Sequence, residues 1–170
     1  MNAEIYWIEG PWAGRLAIMP RPRGGDWLED EVRAWRSAGI DVIVSTLTSA
    51  EIAELDLAQE AALCKANGIE YLALPIPDRG VPWSVRVTAD VLSQLEGKLA
   101  EGKSVAIHCR QGIGRSALLA ACLLILAGAE VEAALRRVGA ARGCLVPETA
   151  EQREWVAKFS RGSLTAFRKS

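Results

Sequence analysis

The stretch His108-Cys109-Arg110-Gln111-Gly112-Ile113-Gly114-Arg115-Ser116 stands between an apolar run ending at Ile107 and the small-apolar segment Ala117 to Ala127. A short apolar run, a loop punctuated by two glycines and then a long apolar segment read as strand, turn and buried helix. The loop places a thiol, an arginine and a row of backbone N–H groups around one point, at the start of a helix.

A strand feeding a buried helix is one βα unit, and the chain upstream supplies more of them. Ile40 to Leu47 is a β-branched run of the kind that lies in a sheet covered on both faces. Tyr71 to Ile76 is a second strand, stopped by Pro75 and Pro77, and Ser104 to Ile107 delivers the chain into the loop. Between them, Thr48 with Glu51 forms a capping box for a helix carrying Ile52, Leu55, Ala62 and Leu63, which ends at Asn67-Gly68. Ser84 caps another, with Val87, Val91, Leu95 and Leu99 at four-residue steps and Gly102 as its stop. At the start, residues 4–9 and 15–20 read as a hairpin, and Asp26 with Glu29 as a capping box opening a helix whose Leu28, Val32 and Trp35 share a face. Four of the six tryptophans fall before residue 36. Core packing accounts for them, with the lining of a cleft as the alternative. After the loop come helices at 115–127, 130–142 and 148–160, and residues 162–170 are expected to form a frayed tail.

Strands alternating with helices at these spacings imply right-handed crossovers. The expected fold class is therefore α/β, a mostly parallel central sheet of about five strands flanked by helices, in a single domain spanning 1–170. Ligands on such sheets bind beyond the carboxyl ends of the strands. The segments 77–83 and 108–116 both follow strands, so they are expected on one rim.

Charge narrows the partners. Twenty Lys+Arg stand against twenty-one Asp+Glu, so no global basic field marks a nucleic-acid binder and anion recognition must be local. The apolar segment after the loop falls well short of the ~20 residues that span a bilayer, so no membrane span is expected. The N-terminus lacks the pattern of a signal peptide. Four cysteines, Cys64, Cys109, Cys122 and Cys144, include no C-x-x-C pair, which suits a reducing compartment and a cytoplasmic location. One histidine and no paired cysteines leave no expected metal site, and no cofactor is implied.

The loop itself is built for a phosphate. First-turn N–H groups of a helix lack intrahelical partners and the helix dipole adds partial positive charge, so an anion is favoured there. Gly112 and Gly114 remove the Cβ atoms that would keep successive N–H groups of the loop from forming a concave nest. Arg115 adds a planar fork able to hold two phosphate oxygens. The same positive field favours the thiolate form of Cys109 at the floor of the nest. Nucleophile and oxyanion site are thus one device. A cysteine before a helix can equally be a small buried hydrophobe, and it is the coincidence of thiol, glycines, arginine and serine that makes the pattern specific.

His-Cys-x-x-Gly-x-Gly-Arg-Ser resembles the signature of the cysteine-dependent protein-tyrosine/dual-specificity phosphatases, and Pro75-Ile76-Pro77-Asp78 is similar to the small atypical dual-specificity type. The resemblance covers about 40–159. It implies that Cys109 attacks phosphorus to form a phosphocysteine, and that Arg115 and the N–H groups of Arg110, Gln111, Gly112, Ile113 and Gly114 bind the transferring group. It further implies that Ser116 stabilises the departing thiolate and that His108 supports the loop. A buried, hydrogen-bonded His108 without an electronic role is the alternative. The leaving oxygen needs a proton, and Asp78, at an interval similar to the family's, is the implied general acid and later base; a plain turn before Gly80 is the other reading.

Two departures matter. Where tyrosine-specific members carry Gln-Thr-x-x-Gln, this chain has Glu148-Thr149-Ala150-Glu151-Gln152, which favours the dual-specificity side. No long phosphotyrosine-recognition loop precedes Ile40, so a shallow site is expected. Arg79, Trp83, Arg110 and Arg21-Pro22-Arg23 are candidates for substrate contact or plain solvated surface. The substrate implied is a phosphorylated protein, with a phosphoinositide or another small phosphate monoester as the alternative. A rhodanese-type sulfurtransferase lacks the Gly-x-Gly-Arg-Ser ending, and a phosphoprotein-binding module without activity would have lost Cys109, Arg115 or Asp78.

Overall fold

A computed structural model describes the backbone of residues 4–167. Strands β1 (Tyr6–Ile8), β2 (Leu16–Met19), β3 (Val42–Ser45), β4 (Glu70–Ala73) and β5 (Val105–His108) form one sheet in the order β1-β2-β5-β3-β4. β1 pairs antiparallel with β2, the expected hairpin, while β2 with β5, β5 with β3 and β3 with β4 are parallel. The sheet is therefore mixed, with a parallel body and one antiparallel edge.

Seven α-helices accompany it among the described residues: α1 (Leu28–Ser37), α2 (Ser49–Glu54), α3 (Glu60–Ala66), α4 (Val85–Ala100), α5 (Arg115–Leu126), α6 (Val131–Arg142) and α7 (Ala150–Phe167). Successive strand residues point to opposite faces, and the core divides accordingly. Leu16, Ile18, Val42, Val44, Val105 and Ile107 pack towards α4, α5, α6 and α7. Ala17, Met19, Ile43 and Ala106 pack towards Leu28, Val32 and Trp35 of α1 and Cys64 of α3. Helix α5 is buried on every side from Arg115 to Ile125, as an all-apolar helix should be. Cutting Leu118, Leu119, Leu123 or Leu124 to alanine would cost about 2–5 kcal/mol each.

Register aims the site. Met19, His108 and Ser45 stand side by side where β2, β5 and β3 end, so the segments beyond them leave the sheet at one level. Leu74 and Ile76 extend this rim through hydrogen bonds from their N–H groups to the Ser45 and Thr46 carbonyls, 2.9 Å each. The segments after β4 and β5 thus share a rim.

Several local expectations are corrected. The helix at 28–37 has no Asp26 cap; a 3-10 turn over Gly25–Trp27 leads into it, where Gly24 is packed against the backbone of Leu55 and Asp56 and the Gly25 N–H donates to the Asp56 carbonyl at 3.0 Å. The helix expected from 49 to 66 is two short ones, α2 and α3, broken at Asp56, whose φ is +55°. Its buried positions are then Glu51, Leu57, Glu60 and Cys64, while Ala62 is exposed and Ile52, Leu55 and Leu63 are half-buried. In α4, four-residue steps advance the helix by about 40° each beyond a full turn, so the stripe drifts. Val87 is exposed and Val91 half-buried, whereas Thr88, Leu92, Leu95 and Leu99 face the core. Trp35 is a core residue, Trp7 and Trp12 are half-buried, and Trp27 is exposed beneath the Arg23 guanidinium. Helix α7 runs through Gly162 to Phe167, into the segment expected as a tail; a lone glycine costs a helix only about 1 kcal/mol. The rest of the expected tail, 168–170, lies outside the described residues.

Candidate active site

Strand β5 ends at His108, and the Thr46 N–H and hydroxyl both donate to the His108 carbonyl at 3.0 and 2.9 Å, tying the end of β3 to the start of the loop. Cys109 comes next, 3% exposed at the floor of a cleft of about 160 Å³ lined by Asp78, Arg79, Arg110, Arg115, Glu148 and Gln152 among others. The Gly112 N–H donates to Cys109 Sγ at 3.2 Å, and the Ser116 hydroxyl lies 3.2 Å from the same sulfur.

The two glycines serve different ends. Gly112 has φ +75°, and a Cβ there would meet the Met19 backbone at 2.7 Å. Gly114 lets the loop approach Gln152 and Glu148, whose side-chain atoms would stand 3.1–3.3 Å from a Cβ. Behind the loop, Arg142 at the end of α6 donates from Nε to the Gly112 carbonyl at 3.2 Å and from Nη2 to the Gln111 carbonyl at 3.3 Å, its guanidinium lying over the Tyr6 ring. In a trans peptide the C=O of one residue and the N–H of the next point in opposite directions. Holding the Gln111 carbonyl outward therefore turns the Gly112 N–H towards Cys109, as found.

Arg115 is 2% exposed and heavily engaged. Nη1 donates to Glu51 Oε1 at 2.6 Å, the Ile76 carbonyl at 2.8 Å and the Thr46 carbonyl at 3.4 Å; Nη2 donates to Glu51 Oε2 at 2.9 Å and Asp78 Oδ1 at 3.0 Å. The bidentate Glu51 pair orients the fork before any substrate arrives. Burial works against both charges, yet the mutual hydrogen bonds and attraction outweigh it. Arg115 stays above the ordinary arginine range and Glu51 below the ordinary glutamate range. Glu51 Oε1 also accepts from the Thr48 N–H, completing the expected capping box of α2.

Asp78 begins a tight turn in which the Gly80 N–H donates to the Pro77 carbonyl at 2.8 Å and Arg79 adopts φ +60°. This turn is fastened across the cleft. Gln152, fully buried, donates from Nε2 to the Gly80 carbonyl at 3.0 Å, and Arg79 pairs with Glu148. Thr149 and Gln152 form a reciprocal pair at the start of α7, each side chain accepting from the other's N–H at 3.1 Å.

His108 is fully buried, stacked on Trp35 at 6.2 Å between centroids, with Nε2 2.8 Å from Glu60 Oε2. An ionised Glu60 makes Nε2 the protonated nitrogen. Nδ1 has no hydrogen-bond partner among the described residues.

The structure thus gathers Asp78, Cys109, Arg110, Gln111, Gly114 and Arg115 around one cleft, with Gly112 and Ser116 on the sulfur. Ile113 packs partly into the core instead. Arg110 donates to Glu54 at 3.1 Å, Trp83 is exposed, the Arg21 N–H donates to the Arg110 carbonyl at 3.3 Å, and Arg23 turns away to Glu31. Glu51, Glu60 and Arg142 carry contacts that the sequence did not announce. The one available signal was Glu51 at N3 of a capping box just past a strand end. Cys64, Cys122 and Cys144 are free thiols, and burial, then the Glu60 charge, pushes Cys64 up to about 12. Among the described residues no three histidine, cysteine or acidic side chains cluster as metal ligands would, and no helix is long and apolar enough to cross a membrane.

Residues 17–129 match the family model described as "Tc-R-P: Polymorphic toxin system, DSP-PTPase phosphatase". The chain is 27% identical over 142 residues to cyclin-dependent kinase inhibitor 3 of Rattus norvegicus, covering 82% of this chain and 66% of that protein, just under two thirds of its length. It superposes on the crystal structure of kinase associated phosphatase, solved with its catalytic-site cysteine replaced by serine, with TM-score 0.86, 23% identity and 98% of each chain covered. It also superposes on Tk-PTP in its active form, with TM-score 0.76, 29% identity, and 95% and 99% of the two chains covered.

Proposed function

Because this chain belongs to the DSP-PTPase phosphatase family, we propose that it is a phosphoprotein phosphatase that hydrolyses phosphotyrosine, and also phosphoserine and phosphothreonine, through a phosphocysteine intermediate. One observation carries this reading: the Gly112 N–H and the Ser116 hydroxyl meet Cys109 Sγ in the same cleft where Arg115 and Asp78 lie 3.0 Å apart.

In the first step Cys109 Sγ attacks phosphorus, the S–P bond forms as the ester P–O bond breaks, and Asp78 gives its proton to the leaving oxygen. The N–H groups of residues 110–115 and the Arg115 fork stabilise the charge on the equatorial oxygens. In the second step a water attacks phosphorus and Asp78 takes its proton. The S–P bond breaks, inorganic phosphate is released, and the Ser116 hydroxyl donates to the departing thiolate. Glu51 holds the Arg115 plane, and His108, fixed by Glu60 and Trp35, holds the strand end from which Cys109 projects. All the chemistry is then carried by side chains and backbone of one catalytic domain. The free cysteines support a reducing compartment, and we place the protein in the cytoplasm.

The test is hydrolysis of an aryl phosphate in the presence of a chelator, with and without vanadate, by wild type and Cys109→Ser. The expected result is chelator-resistant, vanadate-sensitive turnover that the substitution abolishes; turnover surviving in Cys109→Ser excludes the thiolate mechanism.

A further inference from the structure

We propose that Glu148, held against the phosphate loop and paired with Arg79 across the cleft, is a specificity residue that turns away substrates bearing a second phosphate beside the scissile one. The cleft is thereby restricted to isolated phosphomonoesters such as a phosphorylated protein side chain. The inference rests on the phosphatase reading of the same cleft and names the substrate class it takes.

The first observation is the state of the positive charges. Three arginines line the cleft, and each is already matched by a carboxylate: Arg79 by Glu148, Arg110 by Glu54 at 3.1 Å, and Arg115 by Glu51 at 2.6 Å and Asp78 at 3.0 Å. Arg142 is engaged by the loop carbonyls from behind, and the Arg21 guanidinium donates to the Pro22 carbonyl outside the cleft lining. A single phosphoryl group needs none of the rim charges, because the loop N–H groups and Arg115 reach it directly. A second phosphate carries close to two more negative charges and would have to sit on the rim. There it meets Glu148 and finds no unpaired cation among the residues lining the cleft.

The second observation is where Glu148 lies. Its Cβ is 3.3 Å from the place a Gly114 Cβ would occupy, so the carboxylate projects from a point in contact with the phosphate loop. The Glu148 side chain is 18% exposed and Arg79, the outer partner, 64% exposed. The acid is thus fixed at the wall and its partner reaches over from the solvent side.

The third is the backbone of Arg79. The hydrogen bond from Gly80 to Pro77 and the φ of +60° at Arg79 describe a turn whose third position favours glycine or asparagine. A long side chain is kept there against a backbone preference. Its guanidinium meets the Glu148 carboxylate, which makes that ion pair the visible counterpart of the strain.

Two substitutions move the selectivity in opposite directions. Glu148→Gln removes the acid and frees Arg79; Arg79→Gly leaves the acid unpaired and relieves the turn. The full chain is assayed on an aryl phosphate, on a phosphotyrosyl peptide with neutral flanking residues, and on phosphatidylinositol 4,5-bisphosphate in detergent micelles. Wild type is expected to favour the peptide over the bisphosphate by tenfold or more in kcat/KM. Glu148→Gln narrows that ratio by about tenfold, equivalent to about 1.4 kcal/mol, mainly through KM for the bisphosphate. Arg79→Gly widens it, with a thermal midpoint equal to or above that of wild type, a combination that a merely structural ion pair does not produce. A wild type that prefers the bisphosphate, or a ratio unmoved by Glu148→Gln, overturns the inference while leaving the phosphatase reading intact. Absence of turnover on all three substrates overturns that reading and the inference with it.

Discussion

Arg115 Nη2 stands 3.0 Å from Asp78 Oδ1, so in the free protein the side chain assigned to hold the phosphate and the side chain assigned to protonate the leaving group are partners. A phosphate arriving at the loop competes with Asp78 for that N–H. In the proposed mechanism, binding would release the carboxyl group towards the leaving oxygen.

Asp78→Ala should lower turnover of alkyl phosphates by about 10²–10⁴, the usual contribution of an acid–base group. It should leave vanadate inhibition as strong as in wild type or stronger, since a competitor for Arg115 is gone. Steady-state kinetics on esters of graded leaving-group pKa checks both halves; near-normal rates on poor leaving groups would remove Asp78 from the mechanism.

Glu51 has its folded pKa held down, because the hydrogen bonds and attraction of Arg115 and Thr48 outweigh burial, which acts to raise it. A group depressed on folding contributes fully above its unfolded pKa, ~4.3 for glutamate, and loses that contribution as pH falls through the folded value. Stability should therefore be level with respect to this group from neutral pH down to about pH 5, and decline at lower pH. Urea unfolding across that range is expected to show this component in wild type and to lack it in Glu51→Gln. Glu51→Ala, which takes from the buried Arg115 its bidentate partner and leaves it the half-exposed Asp78, should cost about 3 kcal/mol at neutral pH.

Arg142→Ala frees the Gln111 and Gly112 carbonyls and with them the orientation of two N–H groups of the loop. Hydrogen bonds to charged groups contribute about 1.5–3 kcal/mol, so vanadate and substrate should bind at least about tenfold more weakly. Arg142→Lys should recover only part of this, because one ammonium lacks the planar fork that serves two carbonyls at once. Inhibition constants for vanadate decide it, and unchanged values for the alanine variant would show that the loop holds its shape unaided.

Glu60→Ala leaves the Nε2–H of a fully buried His108 without its partner, alongside an Nδ1 that already has none among the described residues. The expected loss is about 1–3 kcal/mol of stability, read as a lower urea midpoint with an unchanged slope. A midpoint equal to that of wild type would mean that His108 finds water or another partner when the strand end relaxes.

Much of the fold was legible because it rests on short-range pattern. The β-branched run at 40–47 and the all-apolar helix after the loop declared a covered parallel sheet, and Gly68 and Gly102 stopped their helices with φ of +73° and +91°. Where pattern misled, a contact distant in sequence had overridden it. The helix written across 49–66 breaks at Asp56, beside the Gly24-Gly25 backbone packed against Leu55 and Asp56. In α4 the reason is local: four-residue steps drift around the helix, so Leu95 and Leu99 face the core as expected while Thr88 and Leu92 take the places of Val87 and Val91.

By itself the sequence determined the loop from His108 to Ser116, its place between a strand and a buried helix, and the aspartate on the same rim, because each comes from residue type and spacing along one local stretch. Only the tertiary structure decided which carboxylates serve that loop. In the sequence Glu51 is marked only as a helix cap, Glu148 only as a departure from Gln-Thr-x-x-Gln and Glu60 not at all, and the tertiary structure brings Glu51 and Glu60 into the interior and Glu148 against the loop. Glu51 and Arg115, 64 residues apart, form a buried bidentate pair at 2.6 and 2.9 Å because β3 and β5 end side by side and aim the helices beyond them at one point. No local pattern encodes that meeting, since removing each charge from water is a cost that only their pairing in the folded chain offsets.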